Sequence, residues 1–357
     1  MFLSGLGTAA PSTRWTQLQC WDALVASDYL PTLSVRSQAI LRKVLRGNNG
    51  ICSRHLAFDQ LGDAFLFDPD VLDARFARHA PAVASQAAER ALADAGIEPR
   101  DIDAVVVSTC TGYLCPGLTS YVTERLGLRT DVLALDLVGQ GCGAALPNMR
   151  TGEALLAGGR ASRVLSICVE ICSAAMYLDD DPGVLISACL FGDGAGAAVL
   201  TAEPVPGRRR VEWRSARTLM EAGDREELRF ERRRGMLRNI LTPAVPALAA
   251  KHVDRLLTDG LEDEGLSRED ISGWILHAGG REILAAVRQQ VGLTEDDTRW
   301  SAAILRDYGN VSSPCVYFVL EAALNERAPG GYWWMSSFGA GFSCHGALLH
   351  VAAPSSP

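Results

Sequence analysis

The chain has 357 residues, of which 48% are hydrophobic and 21% charged, and its formal net charge at pH 7 is −8. This length predicts two domains, or one large domain built from two halves. Neither half is strongly basic, which argues against nucleic acid as a partner. No apolar run reaches membrane-spanning length without a polar residue or a glycine, so we expect no membrane insertion.

The cysteine content and the N-terminus indicate where the protein works. The ten cysteines include no C-x-x-C pair, and many lie in apolar runs such as VLSICVEICS. Buried cysteine packs as a small hydrophobic residue, so this usage favours a reducing compartment. The opening stretch MFLSGLGTAAPSTRW lacks the charged and apolar regions of a signal peptide. Together these features predict a cytoplasmic protein.

The first half of the chain alternates strands with helices. It opens with a strand in FLSGLGTAAP, and residues 14–46 are mostly helical by pattern. A helical pattern with a following glycine spans 80–103, and DAVVVSTCTG has the continuous β-branched run of a buried strand. The predicted elements that follow are a helix near 117–127, a strand at 131–138, a helix at about 143–159, a strand at 163–170 and a glycine-rich strand at 190–202.

The second half repeats this order. A long helix is predicted over 243–264, followed by a strand in WILHAGG and a helix in REILAAVRQQVG. LRDYGNVSS is predicted as a loop that enters a further helix, and YWWMSSFGAGFSCHGALLHV as two strands around a glycine turn. Residues 97–112 and 266–280 share a helix end, an acidic link, a strand and a glycine loop. The pattern predicts a doubled α/β fold whose helices cover the sheets.

One cysteine stands in an unusual position. Cys142 lies between Gly141 and Gly143, where a predicted strand ends and a predicted helix begins. The positive end of a helix dipole favours a thiolate, and the glycines permit unusual backbone angles and the close approach of a ligand. The alternative is a buried structural cysteine.

Two further residues occupy comparable positions. His277 ends a predicted strand just before two glycines, and Asn310 follows a Tyr–Gly turn. Taken singly, the histidine could be a core residue and the asparagine a turn or helix-cap residue. A cysteine, a histidine and an asparagine in glycine-marked loops form a candidate nucleophilic constellation.

Five stretches carry a family resemblance: GQGCGAAL, VEICSAAMYLDDDPGVLISACLFGDGAGAAVL, WILHAGGREIL, LRDYGNVSSPCV and SFGAGFSCHGALL. The chain resembles the type III polyketide synthases, the chalcone synthase superfamily, and among them the bacterial branch. The resemblance implies a duplicated thiolase-like fold with αβαβα layers and two pseudo-equivalent halves. We expect residues 1–203 to carry the cysteine and 204–357 to carry the histidine and asparagine. It also implies a homodimer.

The resemblance assigns roles to individual residues. Cys142 would carry the growing chain, and His277 and Asn310 would complete a triad. A protonated His277 together with the helix dipole would lower the pKa of Cys142. Phe191 would gate the junction between the CoA tunnel and the cavity, and Cys115 would reach the neighbouring subunit's cavity. The other expected cavity residues are Cys110, Thr111, Glu170, Cys172, Ala175 and Ser312.

The implied reaction is iterative decarboxylative condensation of malonyl-CoA onto an acyl-CoA or malonyl-CoA starter. Cyclisation would then give a resorcinol, a pyrone or a dihydroxyphenyl product. CoA thioesters are the substrates, and no cofactor, metal or carrier protein is expected. A basic tunnel mouth for CoA could use Lys43, Arg46, Arg54 and Arg306, although solvated surface charge explains each nearly as well. YLDDDPG at 177–183 is predicted to be a turn with helix-capping or dimer contacts.

Two alternatives to this reading remain open from the sequence. A ketoacyl synthase III-type enzyme would use the same triad for a single extension. A catalytically dead thiolase-fold partner subunit would not need an intact cysteine, histidine and asparagine. The segment DREELRFERRRGMLRNI and the residues GAAL after the cysteine depart from the plant enzymes, so the starter stays undetermined.

Overall fold

The computed structural model describes residues 1–354, which form 13 strands and ten α-helices. The strands are β1 (Phe2–Ala9), β2 (Arg14–Thr16), β3 (Ser53–His55), β4 (Ala104–Thr109), β5 (Leu133–Val138), β6 (Arg163–Glu170), β7 (Gly194–Thr201), β8 (Val211–Met220), β9 (Leu228–Arg233), β10 (Met236–Leu241), β11 (Ile271–Leu276), β12 (Gly331–Gly339) and β13 (Ser343–Val351). The α-helices are α1 (Gln17–Val25), α2 (Val35–Arg46), α3 (Pro69–Ala95), α4 (Leu118–Leu126), α5 (Ala145–Ala157), α6 (Pro182–Leu190), α7 (Val245–Glu264), α8 (Arg281–Val291), α9 (Arg299–Tyr308) and α10 (Cys315–Asn325).

Nine of the strands form one mixed sheet in the order β11-β12-β13-β8-β1-β7-β6-β4-β5. The strands from the first half of the chain are contiguous in it, and so are those from the second half. The two blocks join where β1 pairs with β8 through Phe2 and Glu212. β4 runs parallel to both β5 and β6, and β11 runs parallel to β12, whereas the other neighbours are antiparallel. β4 and β6 are buried, as their continuous apolar runs predict.

Helices cover both blocks and also separate them. α3 packs on β1, β6 and β7, while α7 packs on β8, β12 and β13. α5 and α10 contact strands of both blocks and so form the middle layer. The resulting order is the αβαβα sandwich that the family resemblance implies. α3 can approach β1 closely because Gly7 has no side chain: a Cβ there would lie 2.5 Å from the Ala87 oxygen.

Several boundaries and elements differ from the sequence predictions. The helix predicted over 80–103 is α3, which ends before Gly96; this glycine adopts a left-handed φ of 66° and stops the helix. The predicted loop LRDYGNVSS begins in α9, because apolar residues at helical spacing continue to Tyr308. α6 and the β9–β10 hairpin were not predicted. Asp181 followed by Pro182 is the N-terminal signal that marks the start of α6.

None of the helices within residues 1–354 is both long enough and apolar enough to cross a membrane.

Candidate active site

Cys142 lies where the first sheet block meets the middle helical layer. The chain leaves β5 at Val138, makes one 3₁₀ turn over Gly141–Gly143 and enters α5 at Ala145. The cysteine therefore precedes the N-terminus of a 13-residue helix, as predicted. The unpaired N–H groups and the dipole of such a helix end favour negative charge.

Glycines are needed where this turn packs against the 339–340 segment. Gly141 has a φ of 56°, and a Cβ on it would lie 2.9 Å from the Ala340 nitrogen. On the opposing loop, a Cβ on Gly339 would lie 2.5 Å from the Gly143 nitrogen and 3.0 Å from the Cys142 nitrogen. The close approach at Gly141 is thus made by the chain's own 339–340 segment, which holds the cysteine turn in place.

The Cys142 thiol accepts a hydrogen bond from the Ser312 hydroxyl at 3.1 Å. Burial raises the pKa of this thiol to about 12, although the Ser312 hydrogen bond acts in the opposite direction. Cys142 nevertheless lines a cavity, so an entering thioester could reach its sulfur.

His277 is buried directly after β11 with both ring nitrogens unpartnered among the described residues. Its backbone N–H donates to Ser336, and the edge of its ring lies against Phe338 with the centroids 5.0 Å apart. Burial lowers the pKa of His277 to about 4. The predicted thiolate–imidazolium pair therefore differs from this structure, in which burial keeps both Cys142 and His277 neutral at pH 7.

Asn310 connects the histidine loop to the cysteine. Its Nδ2 donates to the Gly279 carbonyl at 3.1 Å, two residues beyond His277. Its Oδ1 accepts from the Ser312 backbone N–H at 2.8 Å, and the Ser312 hydroxyl in turn reaches Cys142. An amide carries two N–H groups, so one N–H of Asn310 has no acceptor among residues 1–354 and could bind a ligand.

Glu170 ends β6 as a fully buried carboxylate. Burial raises its pKa, while the surrounding hydrogen bonds oppose that shift. Its five donors are Thr109 Oγ1 (3.2 Å), the Cys110 backbone nitrogen (3.0 Å), Cys110 Sγ (3.2 Å), Thr111 Oγ1 (2.8 Å) and Ser313 Oγ (2.6 Å).

These contacts extend toward the nucleophile. Cys110 Sγ lies 3.8 Å from the Ser312 hydroxyl, which itself bonds to Cys142. A polar network therefore runs from the Glu170 carboxylate to the thiol. Glu170 itself does not line the cavity; it lies behind the lining residue Thr111, to which it is hydrogen-bonded.

The cavity beside Cys142 collects most of the predicted lining residues: Thr111, Cys172, Ala175, Phe191 and Ser312. Cys110 instead lines an adjoining pocket next to Arg229 and Phe230. His277 and Asn310 lie outside both sets of lining residues, and Cys115 is exposed.

Sequence reasoning missed the residues that close the cavity from α6 and from the hairpin. The alternation in LRFERR and the glycine at Gly235, which leaves a two-residue turn before MLRNIL, are a hairpin signal for the second group. The missed lining residues are Met176, Tyr177, Val184, Ser187, Ala188, Leu228, Arg229, Phe230, Asn239 and Ala340.

The predicted CoA-binding cations do not share one environment. Lys43 and Arg46 are exposed on the last turn of α2, and Arg306 pairs with Asp307 at 2.7 Å. Arg54 contradicts the expectation because it is buried, and its guanidinium is already occupied inside the protein. Its acceptors are Gln17 Oε1, the carbonyls of Ala188 and Phe191, and Cys20 Sγ. Four of its five N–H groups therefore have acceptors among the described residues, and this buried side chain is poorly placed to bind a surface phosphate.

Family comparisons agree with the fold. A family model described as FAE1/Type III polyketide synthase-like protein matches residues 62–226. A second, described as Chalcone and stilbene synthases, C-terminal domain, matches residues 225–352. The chain belongs to the type III polyketide synthases, which are acyltransferases with a thiolase-like fold.

Individual relatives point to the same family. The 3,5-dihydroxyphenylacetyl-CoA synthases of Streptomyces toyocaensis and Amycolatopsis orientalis are each 29% identical to the chain and align with 97% of it. These alignments cover 88% and 92% of the two relatives.

Solved structures share the whole architecture. PKS-I from the brown alga Ectocarpus siliculosus superimposes with a TM-score of 0.88 at 27% identity, covering 98% of this chain and 97% of that one. The 1,3,6,8-tetrahydroxynaphthalene synthase of Streptomyces coelicolor has a TM-score of 0.85 at 21% identity, with 99% and 100% covered, and supports the fold alone.

Proposed function

We propose that the protein condenses malonyl-CoA iteratively onto a starter held as a thioester on Cys142 and cyclises the chain to a dihydroxyphenyl product. The product class is supported by the 3,5-dihydroxyphenylacetyl-CoA synthases that align with 97% of the chain. Acyl-CoA and malonyl-CoA serve directly, without a carrier protein or a further cofactor. Lys43, Arg46 and Arg306 remain candidates for the CoA phosphates.

The observation that carries this proposal is the Ser312–Cys142 hydrogen bond at the end of a helix, facing an otherwise largely apolar cavity. The hydrogen bond and the helix end both stabilise negative charge on sulfur. An apolar cavity shields a reactive chain from water until it cyclises.

Acylation begins when Cys142 Sγ attacks the thioester carbonyl of the starter. An unpartnered ring nitrogen of His277 accepts the thiol proton and passes it to the departing CoA sulfur. The C–S bond to CoA breaks as the bond to Cys142 forms, so free CoA leaves as the thiol.

Decarboxylation of malonyl-CoA creates the carbon nucleophile. The electron pair of the breaking C–C bond moves into the thioester as an enolate while CO₂ departs. A His277 N–H and the free N–H of Asn310 hold the enolate oxygen, and one such donor is typically worth about 3–4 kcal/mol. Asn310 suits this role because its other N–H and its oxygen are already fixed by Gly279 and Ser312.

Condensation lengthens the chain by two carbons. The enolate carbon attacks the Cys142 thioester carbonyl, and the cysteine sulfur leaves as a thiolate. The new β-ketoacyl-CoA returns to Cys142 for the next cycle, and the cavity walls determine when growth ends and the ring closes.

Intact-protein mass spectrometry tests the attachment point. Incubation with a panel of acyl-CoA starters should add one acyl mass to the wild-type chain and none to Cys142→Ala. The same variant should lose chain extension while it still releases CO₂ from malonyl-CoA. Extension at the wild-type rate by Cys142→Ala would refute the assignment, and the absence of any adduct would favour a dead partner subunit.

We also propose a homodimer, with Cys115 near the subunit boundary. β5 is an edge strand of the large sheet and exposes Leu133 and Val138, and Tyr113 is 71% exposed close to Cys115 in the chain. Exposed apolar edges of this kind are usually covered by another chain. Sedimentation equilibrium should give twice the chain mass, and a monomer at micromolar concentration would contradict this part.

A further inference from the structure

Three consecutive aspartates, Asp179–Asp181, each bond to a different element, and two of these elements line the candidate cavity. Asp180 accepts hydrogen bonds from the Ser34 backbone and the Ser37 hydroxyl, at 2.9 and 2.6 Å, at the start of α2. Asp181 caps α6 by accepting from the first N–H groups of that helix. The capping predicted for YLDDDPG is therefore confirmed. Asp179 instead bonds to the hairpin.

Arg238 on β10 receives that contact and is itself nearly buried, with 9% of its surface exposed. Its Nε donates to Asp179 at 2.8 Å, its Nη1 to Glu231 at 2.7 Å, and its Nη2 lies 3.2 Å from Asp181. All three nitrogens of the planar guanidinium are engaged at once. Such a fork fixes direction as well as distance, unlike the single point charge of a lysine.

The two elements joined in this way are two walls of the Cys142 cavity. α6 contributes Val184, Ser187 and Ala188, and the β9–β10 hairpin contributes Leu228, Arg229, Phe230 and Asn239. The walls approach closely at one end, because a Cβ on Gly183 would lie 2.4 Å from the Leu241 carbonyl oxygen. The Arg238 side chain does not line the cavity, whereas its neighbour Asn239 does.

We propose that the clamp formed by Arg238 with Asp179 and Asp181 positions the hairpin against α6 and thereby sets how many malonyl-derived units are added before the chain is released. The inference rests on the proposed iterative function. In an iterating synthase one site adds every unit, so growth ends when the chain on Cys142 fills the cavity. Arg238 is thus a positioning residue that acts through Phe230 and Asn239.

The test compares Arg238→Gln with the matched variant Arg233→Gln. Arg233 lies on the same hairpin and also contacts Asp179, at 3.3 Å, but its side chain is half exposed and makes no second ion pair among the described residues. Each purified full-length variant receives ¹³C-malonyl-CoA, and products are sorted by their number of labelled units. Cys142 acylation is measured in parallel by intact mass.

Arg238→Gln should acylate Cys142 like the wild type yet release a broader set of products that includes longer chains. Arg233→Gln should keep the wild-type distribution. Asp179→Asn, which preserves the shape of the side chain and loses its charge, should shift the product distribution in the same direction. It replaces Arg238→Gln as the test if that variant does not fold. Arg238→Lys, which keeps the charge without the fork, should restore the distribution only partly.

An unchanged unit distribution in Arg238→Gln or Asp179→Asn would overturn the inference, including the case in which only the overall rate falls. An equal shift in Arg233→Gln would do the same. If the wild type incorporates no malonyl units at all, the proposed function fails, and that result is recognisable before any clamp variant is compared.

Discussion

Ser312 donates a hydrogen bond to the Cys142 thiol across 170 residues of sequence, at 3.1 Å. The next residue, Ser313, donates instead to the buried Glu170 at 2.6 Å. Two adjacent hydroxyls therefore serve different acceptors, and only the first can stabilise negative charge on the nucleophile.

Ser312→Ala should slow acylation of Cys142 by about 10- to 100-fold, since a hydrogen bond to a charged group contributes roughly 1.5–3 kcal/mol and about 1.4 kcal/mol corresponds to a factor of ten. Stopped-flow release of CoA measures this step. Ser313→Ala is the matched control and should acylate near the wild-type rate. Equal slowing in both variants would show that general disturbance, rather than the contact with sulfur, causes the loss.

The pH dependence of Cys142 alkylation distinguishes a neutral thiol from an ion pair. Burial raises the pKa of Cys142 to about 12 and lowers that of His277 to about 4, so deprotonation of the thiol requires alkaline solution. The rate of iodoacetamide reaction at Cys142 should rise from pH 7 to pH 10 without a plateau. Peptide mapping separates this site from the exposed Cys52 and Cys115. A rate that is already at its plateau at pH 7 would show that Cys142 is a thiolate there, as in the predicted pair with protonated His277.

Asn310→Ala should reduce malonyl-CoA decarboxylation by about 10²–10³-fold, the usual effect of removing one oxyanion donor. The alanine also removes the acceptor for the Ser312 N–H, so a second variant is needed. Asn310→Asp keeps an acceptor there and lacks the donor, and it should be equally slow. CO₂ release from labelled malonyl-CoA is the measurement. If Asn310→Asp decarboxylates malonyl-CoA near the wild-type rate, Asn310 does not donate to the enolate oxygen.

Gly339→Ala should displace the cysteine turn, because its Cβ would lie 2.5 Å from the Gly143 nitrogen. Overpacking of this kind typically costs about 1–3 kcal/mol of unfolding free energy. Urea denaturation should show that loss, and Cys142 acylation should fall with it. Gly62→Ala introduces the same methyl group where nothing lies within 4 Å and should change neither quantity. Wild-type acylation in Gly339→Ala would mean that this packing does not position the thiol.

The sequence predicts elements whose local signal matches their environment. β4 and β6 are buried apolar runs, and the Gly–Cys–Gly turn before α5 occupies the place that the pattern indicates. Arg54 shows where sequence-based prediction fails. Nothing in RKVLRGNNGICSRH distinguishes a surface arginine from a buried one that donates to the Ala188 carbonyl, 134 residues away. The Arg238–Asp179 contact likewise depends on tertiary packing between distant segments. The division of the chain at 203/204 and the roles of the triad remain predictions.

Product analysis with ¹³C-malonyl-CoA tests iterative condensation on Cys142 most directly. The wild type should give a cyclised product containing several labelled two-carbon units, and Cys142→Ala should give none while still releasing CO₂. A product that contains one labelled unit per starter would instead identify a single-extension condensing enzyme and contradict the account.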